Sequence, residues 1–174
     1  MTTTSLLYAQ TTSWNVITIT LASLATTSTL VAGRNGSIID NTSNKYDDIL
    51  IRGQVMTGTS PTGGNIAVYL YTPIGLASSS WTYPQAGTTM ITESDTAITF
   101  AAEQKTGGSV VLAASPAANT TNNEPYSFGF SVNAILGYTP EKCGIFVAHS
   151  TGVNLNSTAG NHWFQWQGVQ HSAA

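Results

Sequence analysis

Apolar and polar residues alternate in short runs along this chain. The runs are cut by Gly, Pro, Ser, Thr and Asn before any reaches helical length. Period-two alternation between turn residues is the mark of half-buried β-strands. In WNVITITL (14–21), Asn15, Ile17, Ile19 and Leu21 share one face, and Trp14, Val16, Thr18 and Thr20 the other. Leu21, Leu24 and Ala25 then have helical spacing, so a short helical turn is an alternative there. GSIID reads as a short strand. YDDILIRGQVMTG (46–58) is a clear one, with Ile49, Ile51, Gly53 and Val55 on one face and Asp48, Leu50, Arg52 and Gln54 on the other. NIAVYLYTP (65–73) sets Ile66, Val68 and Leu70 against Ala67, Tyr69 and Tyr71. The intervening TSPTGG predicts that these two strands form an antiparallel hairpin.

Residues 74–95 are irregular, too polar for burial and too long for a tight turn. Such loops commonly carry contacts. TAITFAAEQ and SVVLAAS are predicted strands around KTGG, and PAANTTNNEP is a second loop. YSFGFSVN (126–133) alternates Tyr126, Phe128, Phe130 and Val132 with Ser127, Gly129 and Ser131. GIFVAHS and HWFQWQGVQ close the chain as strands around TGVNLNSTAGN, and this last pair reads as a hairpin. Eight or more antiparallel strands predict an all-β, single-domain β-sandwich, with the jelly roll as the expected type. It would span residues 13–174, behind an extended N-terminal arm, residues 1–12, with little structure-forming signal.

Composition agrees with a β fold. At 174 residues the chain suits one domain with a sizeable core. Only 7% of residues are charged, against about 25% for a typical soluble domain. About one residue in six is threonine, whose branched Cβ favours strands. Five Lys/Arg and a net charge of −3 cannot build a phosphate-tracking patch, so no nucleic-acid partner is expected. No apolar run approaches the ~18 residues of a membrane span. The start has no basic region followed by an apolar one, and Cys143 has no intrachain partner. Both point to synthesis in a reducing cytoplasm. The sequons at Asn35, Asn41, Asn119 and Asn156 are what a Thr-, Ser- and Asn-rich chain gives by chance.

Catalytic and metal signatures are weak. Cys143, His149, His162 and His171 lack the close paired spacing of zinc ligands. His149 ends one strand and His162 begins the next, which places them at a solvated hairpin mouth. Cys143 and His149, six apart on one strand, would lie ~20 Å apart, too far for a nucleophile–base pair. There is no G-x-S-x-G elbow, and Asp47 and Asp48 point to opposite faces. The expectation is no enzyme, no metal and no cofactor. The aromatics are the remaining candidates. Trp163 and Trp166 lie on opposite faces of the last strand, and one of them should fill the core. Trp81 and Tyr83, in the long loop, are the expected contact residues for a partner or a glycan.

The motif TPEKCGIFVAHSTGVNLNSTAGNHWFQWQ resembles the C-terminal strand pair of small jelly-roll virion proteins of tailed bacteriophages. The matching positions are Gly144, Phe146, Val147, Ser150, Gly152, Val153, Leu155, Gly160, Asn161 and Trp163. Upstream, Ser37, Ile39, Asp40 and Asn41, then Tyr46 and Asp48, are similar to that family's opening, and GNIAVYLYTP to its next strand. The resemblance implies a capsid decoration or cement protein. It would sit as a trimer on the outer surface of the virion and bridge copies of the major capsid protein. The middle section, 74–125, is longer than in that family. A tail or fibre component that binds host glycan is the alternative.

Overall fold

The strand NIAVYLY has no polar face, so it must be covered on both sides, and the rest of the fold follows from where it sits. The computed structural model describes residues 6–10, 13–77, 80–86, 89–100 and 109–173. The strands are β1 (Leu6–Gln10), β2 (Asn15–Ile17), β3 (Ala32–Asn35), β4 (Ile39–Asp40), β5 (Asp48–Met56) and β6 (Gly64–Tyr71). Next come β7 (Gly75–Ala77), β8 (Ser80–Thr82), β9 (Gln85–Ala86), β10 (Thr89–Met90), β11 (Thr96–Thr99) and β12 (Val110–Ala114). After β13 (Ala117–Ala118) and β14 (Pro125–Ser131) there is one short helix, α1 (Val132–Leu136), then β15 (Lys142–His149) and β16 (Trp163–Ala173).

Two antiparallel sheets pack as an all-β sandwich. Sheet I runs β1-β16-β5-β14, with β2 also on β16. Sheet II runs β11-β3-β15-β6-β12, with β13 on β6 and β4 on β15. The face of β6 carrying Ile66, Val68 and Leu70 joins Cys143, Ile145 and Val147 of β15 in the core between the sheets. There they meet Ile49, Ile51, Val55 and Phe164 of sheet I. The opposite face, with Ala67, Tyr69, Tyr71, Phe146 and Ala148, belongs to a second core, closed by Tyr83, Ile91, Ile98 and Phe100. The middle segment is therefore a third layer over sheet II rather than a solvated loop. Among its described side chains Thr92, Glu93 and Ser94 are exposed, while Tyr83, Pro84, Ile91 and Phe100 are buried.

Several expectations change. β5 and β6 do not pair: β5 lies between β14 and β16, and β6 between β15 and β12. The TSPTGG connection crosses from sheet to sheet. The reason lies in the strands, since β5 alternates and needs one cover while β6 needs two. The final hairpin is also a crossing, with β15 in sheet II and β16 in sheet I. Strand 14–21 shortens to β2, and Leu21–Leu24 makes a turn, not a helix, with Ser23 at φ 57°. The strand β3 was hidden in AGRN because its inward residues are Gly33 and Asn35 rather than apolar ones. Within the expected arm, Leu6–Gln10 pair with Val169–Ala173 of β16. Residues 1–5, 11 and 12 of that arm lie outside the described residues, as do 101–108 of the predicted TAITFAAEQ strand and KTGG turn. The helix α1 is set by its ends. Ser131 Oγ accepts from Ala134 N–H, and Gly137 closes it at φ 78°.

Both histidines are buried at the crossing rather than solvated. His149 Nε2 donates to the Leu24 carbonyl at 3.0 Å, and Thr151 Oγ1 lies 3.0 Å from its Nδ1. His162 Nδ1 accepts from Met56 N–H at 3.3 Å, so its proton is on Nε2, which donates to the Asn156 carbonyl at 2.8 Å. The two rings thus tie the β15–β16 connection to the end of β5 and to the 21–27 loop.

Glycine matters most where an aromatic ring lies across the ladder. Gly144 faces Tyr71, and a Cβ there would stand 2.3 Å from the ring. Gly144→Ala is expected to cost on the order of 1–3 kcal/mol through overpacking. Gly160→Ala, which meets open space, should stay within about 0.5 kcal/mol; urea unfolding of both variants checks this.

Burial holds His149 and His162 below the usual histidine range, against hydrogen bonds that favour the charged form. The unfolded chain takes up these protons near pH ~6.5, the folded one only lower. Stability is therefore complete above that value and falls as pH drops through it, by up to ~1.4 kcal/mol per pH unit for each ring. Melting temperatures between about pH 7.5 and about pH 5 should fall in the native chain and flatten in a His149→Gln/His162→Gln variant. A flat native profile would contradict the assignment.

Candidate functional site

The two aromatics singled out from the sequence part company. Tyr83 is 2% exposed. Its ring meets Tyr71 edge-on at 6.1 Å, and its hydroxyl donates to Glu93 Oε1 at 2.7 Å. It belongs to the second core and offers no face to a ligand, because the outer side of sheet II needs a large ring to close it. Trp81, on β8, is half-buried against the same core. It borders a cavity of about 190 Å3 whose walls include Pro73, Tyr138, Pro140, Glu141 and Lys142. Tyr138, which the sequence reading passed over, is 52% exposed. Nothing in the sequence links positions 81 and 138. The β4–β15 pairing and the turn after α1 bring them together.

Lys142 is fixed in this place. Its Nζ lies 5.7 Å from the Trp81 ring centroid, donates to Glu93 Oε1 at 2.8 Å and lies 3.3 Å from Asp40 Oδ2. Asp40 also accepts from the Thr42 amide at 2.9 Å and hydroxyl at 2.6 Å. The lysine hydrogen bond is the main reason the Glu93 carboxyl sits below its usual range. For Asp40, burial pushes the other way, but the Thr42 bonds and Lys142 outweigh it and the carboxyl is lowered. Lys142 is raised because its two carboxylates outweigh its desolvation. All three groups are charged at neutral pH.

A second cluster lies on the outer face of sheet I. Cross-strand register puts Val16, Gln165, Arg52 and Gly129 in one row, and Trp163, Gln54 and Ser127 in the next. The Arg52 guanidinium stacks 3.9 Å from the Trp14 ring centroid and lies 5.9 Å from that of Trp163. It is held by the Gln165 side-chain carbonyl, which accepts from Nε at 3.2 Å and from Nη2 at 2.9 Å. Val16 is 70% exposed and Trp163 37%. Trp166, on the opposite face of β16, is the tryptophan that packs inward. The alternation of WNVI and HWFQWQ carried the signal for the outward tryptophans. Only the pairing of β2, β16 and β5 shows that they converge on one arginine.

Cys143 is fully buried, and burial pushes its thiol up to about 12, so it is a core residue without nucleophilic character. Among the described residues no group of three or more His, Cys, Asp and Glu side chains converges as metal ligands. Among them, no helix is long and apolar enough to cross a membrane. No family model, curated protein or solved structure matched the chain.

Removing the Tyr83 hydroxyl tests the buried end of the Tyr83–Glu93–Lys142 chain. Tyr83→Phe should cost about 0.5–1.5 kcal/mol, the net worth of one hydrogen bond or slightly more for a charged acceptor, read by thermal and urea unfolding.

Proposed function

We propose that this chain is a non-catalytic virion structural protein that decorates a bacteriophage capsid and stabilises it by bridging major capsid protein subunits, as a trimer. The sandwich would be of the jelly-roll type, made in the host bacterial cytoplasm and carried on the outer capsid surface. The observation that carries the reading is the Trp14–Arg52–Trp163 cluster on the open face of sheet I. Tryptophan and arginine are the residues most enriched among those that dominate protein–protein binding energy. They stand here on rigid, paired strands, so little ordering entropy is lost on contact.

The surroundings suit a flat partner. Ser127 and Gly129 on β14 add almost no relief beside the arginine. Among the described residues Arg52 is held by rings and an amide and by no carboxylate, which would leave its charge available to a carboxylate on the shell. A surface with few charges loses little solvation energy when covered, and many modest contacts repeated over a symmetric shell add through avidity.

The copy number of the protein in purified virions, relative to the major shell protein, is the decisive measurement. A comparable number supports decoration, a low number points to a tail part, and absence from particles overturns the reading. Trp163→Ala and Arg52→Glu should each lower capsid occupancy at least ~10-fold, the scale of a hot-spot contact, with the melting temperature of the free protein nearly unchanged. Full occupancy by both variants would remove sheet I as the contact face.

A further inference from the structure

We propose that the cavity between Trp81 and Tyr138 is a binding site for a neutral sugar ring, with Lys142 and Glu141 as its polar rim. The inference goes beyond the shell-binding role and uses other residues in another layer. Trp81 belongs to the layer that covers sheet II, on the side away from sheet I. A protein seated on a shell through sheet I therefore presents this cavity away from that contact.

A sugar ring has an apolar C–H face and a belt of hydroxyls. Its receptor needs a flat aromatic wall and fixed hydrogen-bonding groups at the edge. Both are present. Trp81 is half-buried and Tyr138 is 52% exposed. Pro73 and Pro140 stiffen the remaining walls. Lys142, largely buried, offers only the ammonium N–H that Glu93 and Asp40 leave, and they already position it, so no long side chain has to be ordered on binding. Glu141, on the cavity wall and exposed, adds a carboxylate acceptor.

Size and charge define the ligand. About 190 Å3 is below the ~300–1,000 Å3 of sites for drug-sized molecules, which suits one ring of a longer glycan. One lysine stands against Asp40, Glu93 and Glu141, so the neighbourhood is net acidic and repels uronic and sialic acids.

The full chain is applied to an array of neutral, amino and acidic oligosaccharides. Hits are then titrated as the corresponding methyl glycosides, with tryptophan fluorescence as the readout. The expected result is binding to neutral glycans. It should weaken at least ~10-fold in Trp81→Ala and in Tyr138→Ala, the loss of a stacking wall, and persist in Trp163→Ala. Tyr138 is exposed and no core residue, so its variant keeps the test sound if Trp81→Ala fails to fold. No binding to any neutral glycan, preference for acidic ones, or binding unaffected by Tyr138→Ala would overturn the proposal. Because Trp163→Ala reports on the shell contact, loss of capsid occupancy and loss of glycan binding are separable.

Discussion

The pairing of β6 with β15 is the constraint on which the other parts depend. Residues 66–71 and 142–149 are buried throughout, on both faces of the ladder. Each large apolar side chain withdrawn from water contributes roughly 1.5–3 kcal/mol, and half of this pair's side chains would be stranded by a simple two-sheet sandwich. Sheet I covers one side. The other is covered by the chain that follows β6, which folds back as β7 to β11 and delivers Tyr83, Ile91, Ile98 and Phe100. A low-charge, Thr-rich segment can do this because its side chains are short enough to leave its few large ones pointing inward. The outer face of sheet I leaves Val16, Arg52, Ser127, Gly129 and Trp163 exposed. The asymmetry between a doubly covered sheet and a singly covered one produces a free surface on one side of the molecule and a capped surface on the other.

The crossings from β5 to β6 and from β15 to β16 create a second problem, since connections at the corners carry backbone groups that no ladder pairs. At one corner the imidazoles serve. A neutral ring that both accepts and donates can bridge a strand end and a loop carbonyl, as His162 does between Met56 and Asn156. At the other, Gly64 lies so close to Ser150 that a Cβ would stand 2.2 Å from its carbonyl oxygen, with φ at 100°, so glycine is needed there on both counts. These corners bring the ends of β5, β6, β15 and β16 together, which fixes the angle between the sheets.

Alternation of apolar side chains made the longer strands legible, although the alternating run 14–21 holds only the short β2. β5 and β6 fall where the alternation put them, and β14 does so as far as Ser131, beyond which Val132 and Asn133, expected in the strand, open α1 because Ser131 caps a helix there. Which strand pairs with which was not legible, because turn residues such as TSPTGG signal a reversal and not its destination. The same run can close a hairpin or carry the chain across the core. A strand like AGRN escapes notice because its inward positions are small or polar to make room for the Phe146 ring. Candidate contacts followed the same division. Trp81 was recognisable as a large aromatic in a polar stretch, but Tyr83 looked equivalent to it, since nothing local distinguishes a ring that closes a core from one left at its edge. Tyr138, Trp14 and Trp163 acquire their meaning only from pairings far apart in sequence.

Arginine at position 52 is also informative about what the open face can do. A lysine there would keep a compact, strongly hydrated charge, whereas guanidinium is planar and weakly hydrated and can lie against an indole while its edge still donates. Arg52 does both, with Trp14 against its plane and Gln165 at its edge. Lys142 shows the opposite arrangement: an ammonium between two carboxylates, its charge satisfied and its position fixed. Two of the chain's five Lys and Arg side chains are thus used in different ways. One is locked into the protein's own structure beneath a tryptophan. The other is displayed on an otherwise nearly uncharged sheet, and among the described residues it is in no ion pair.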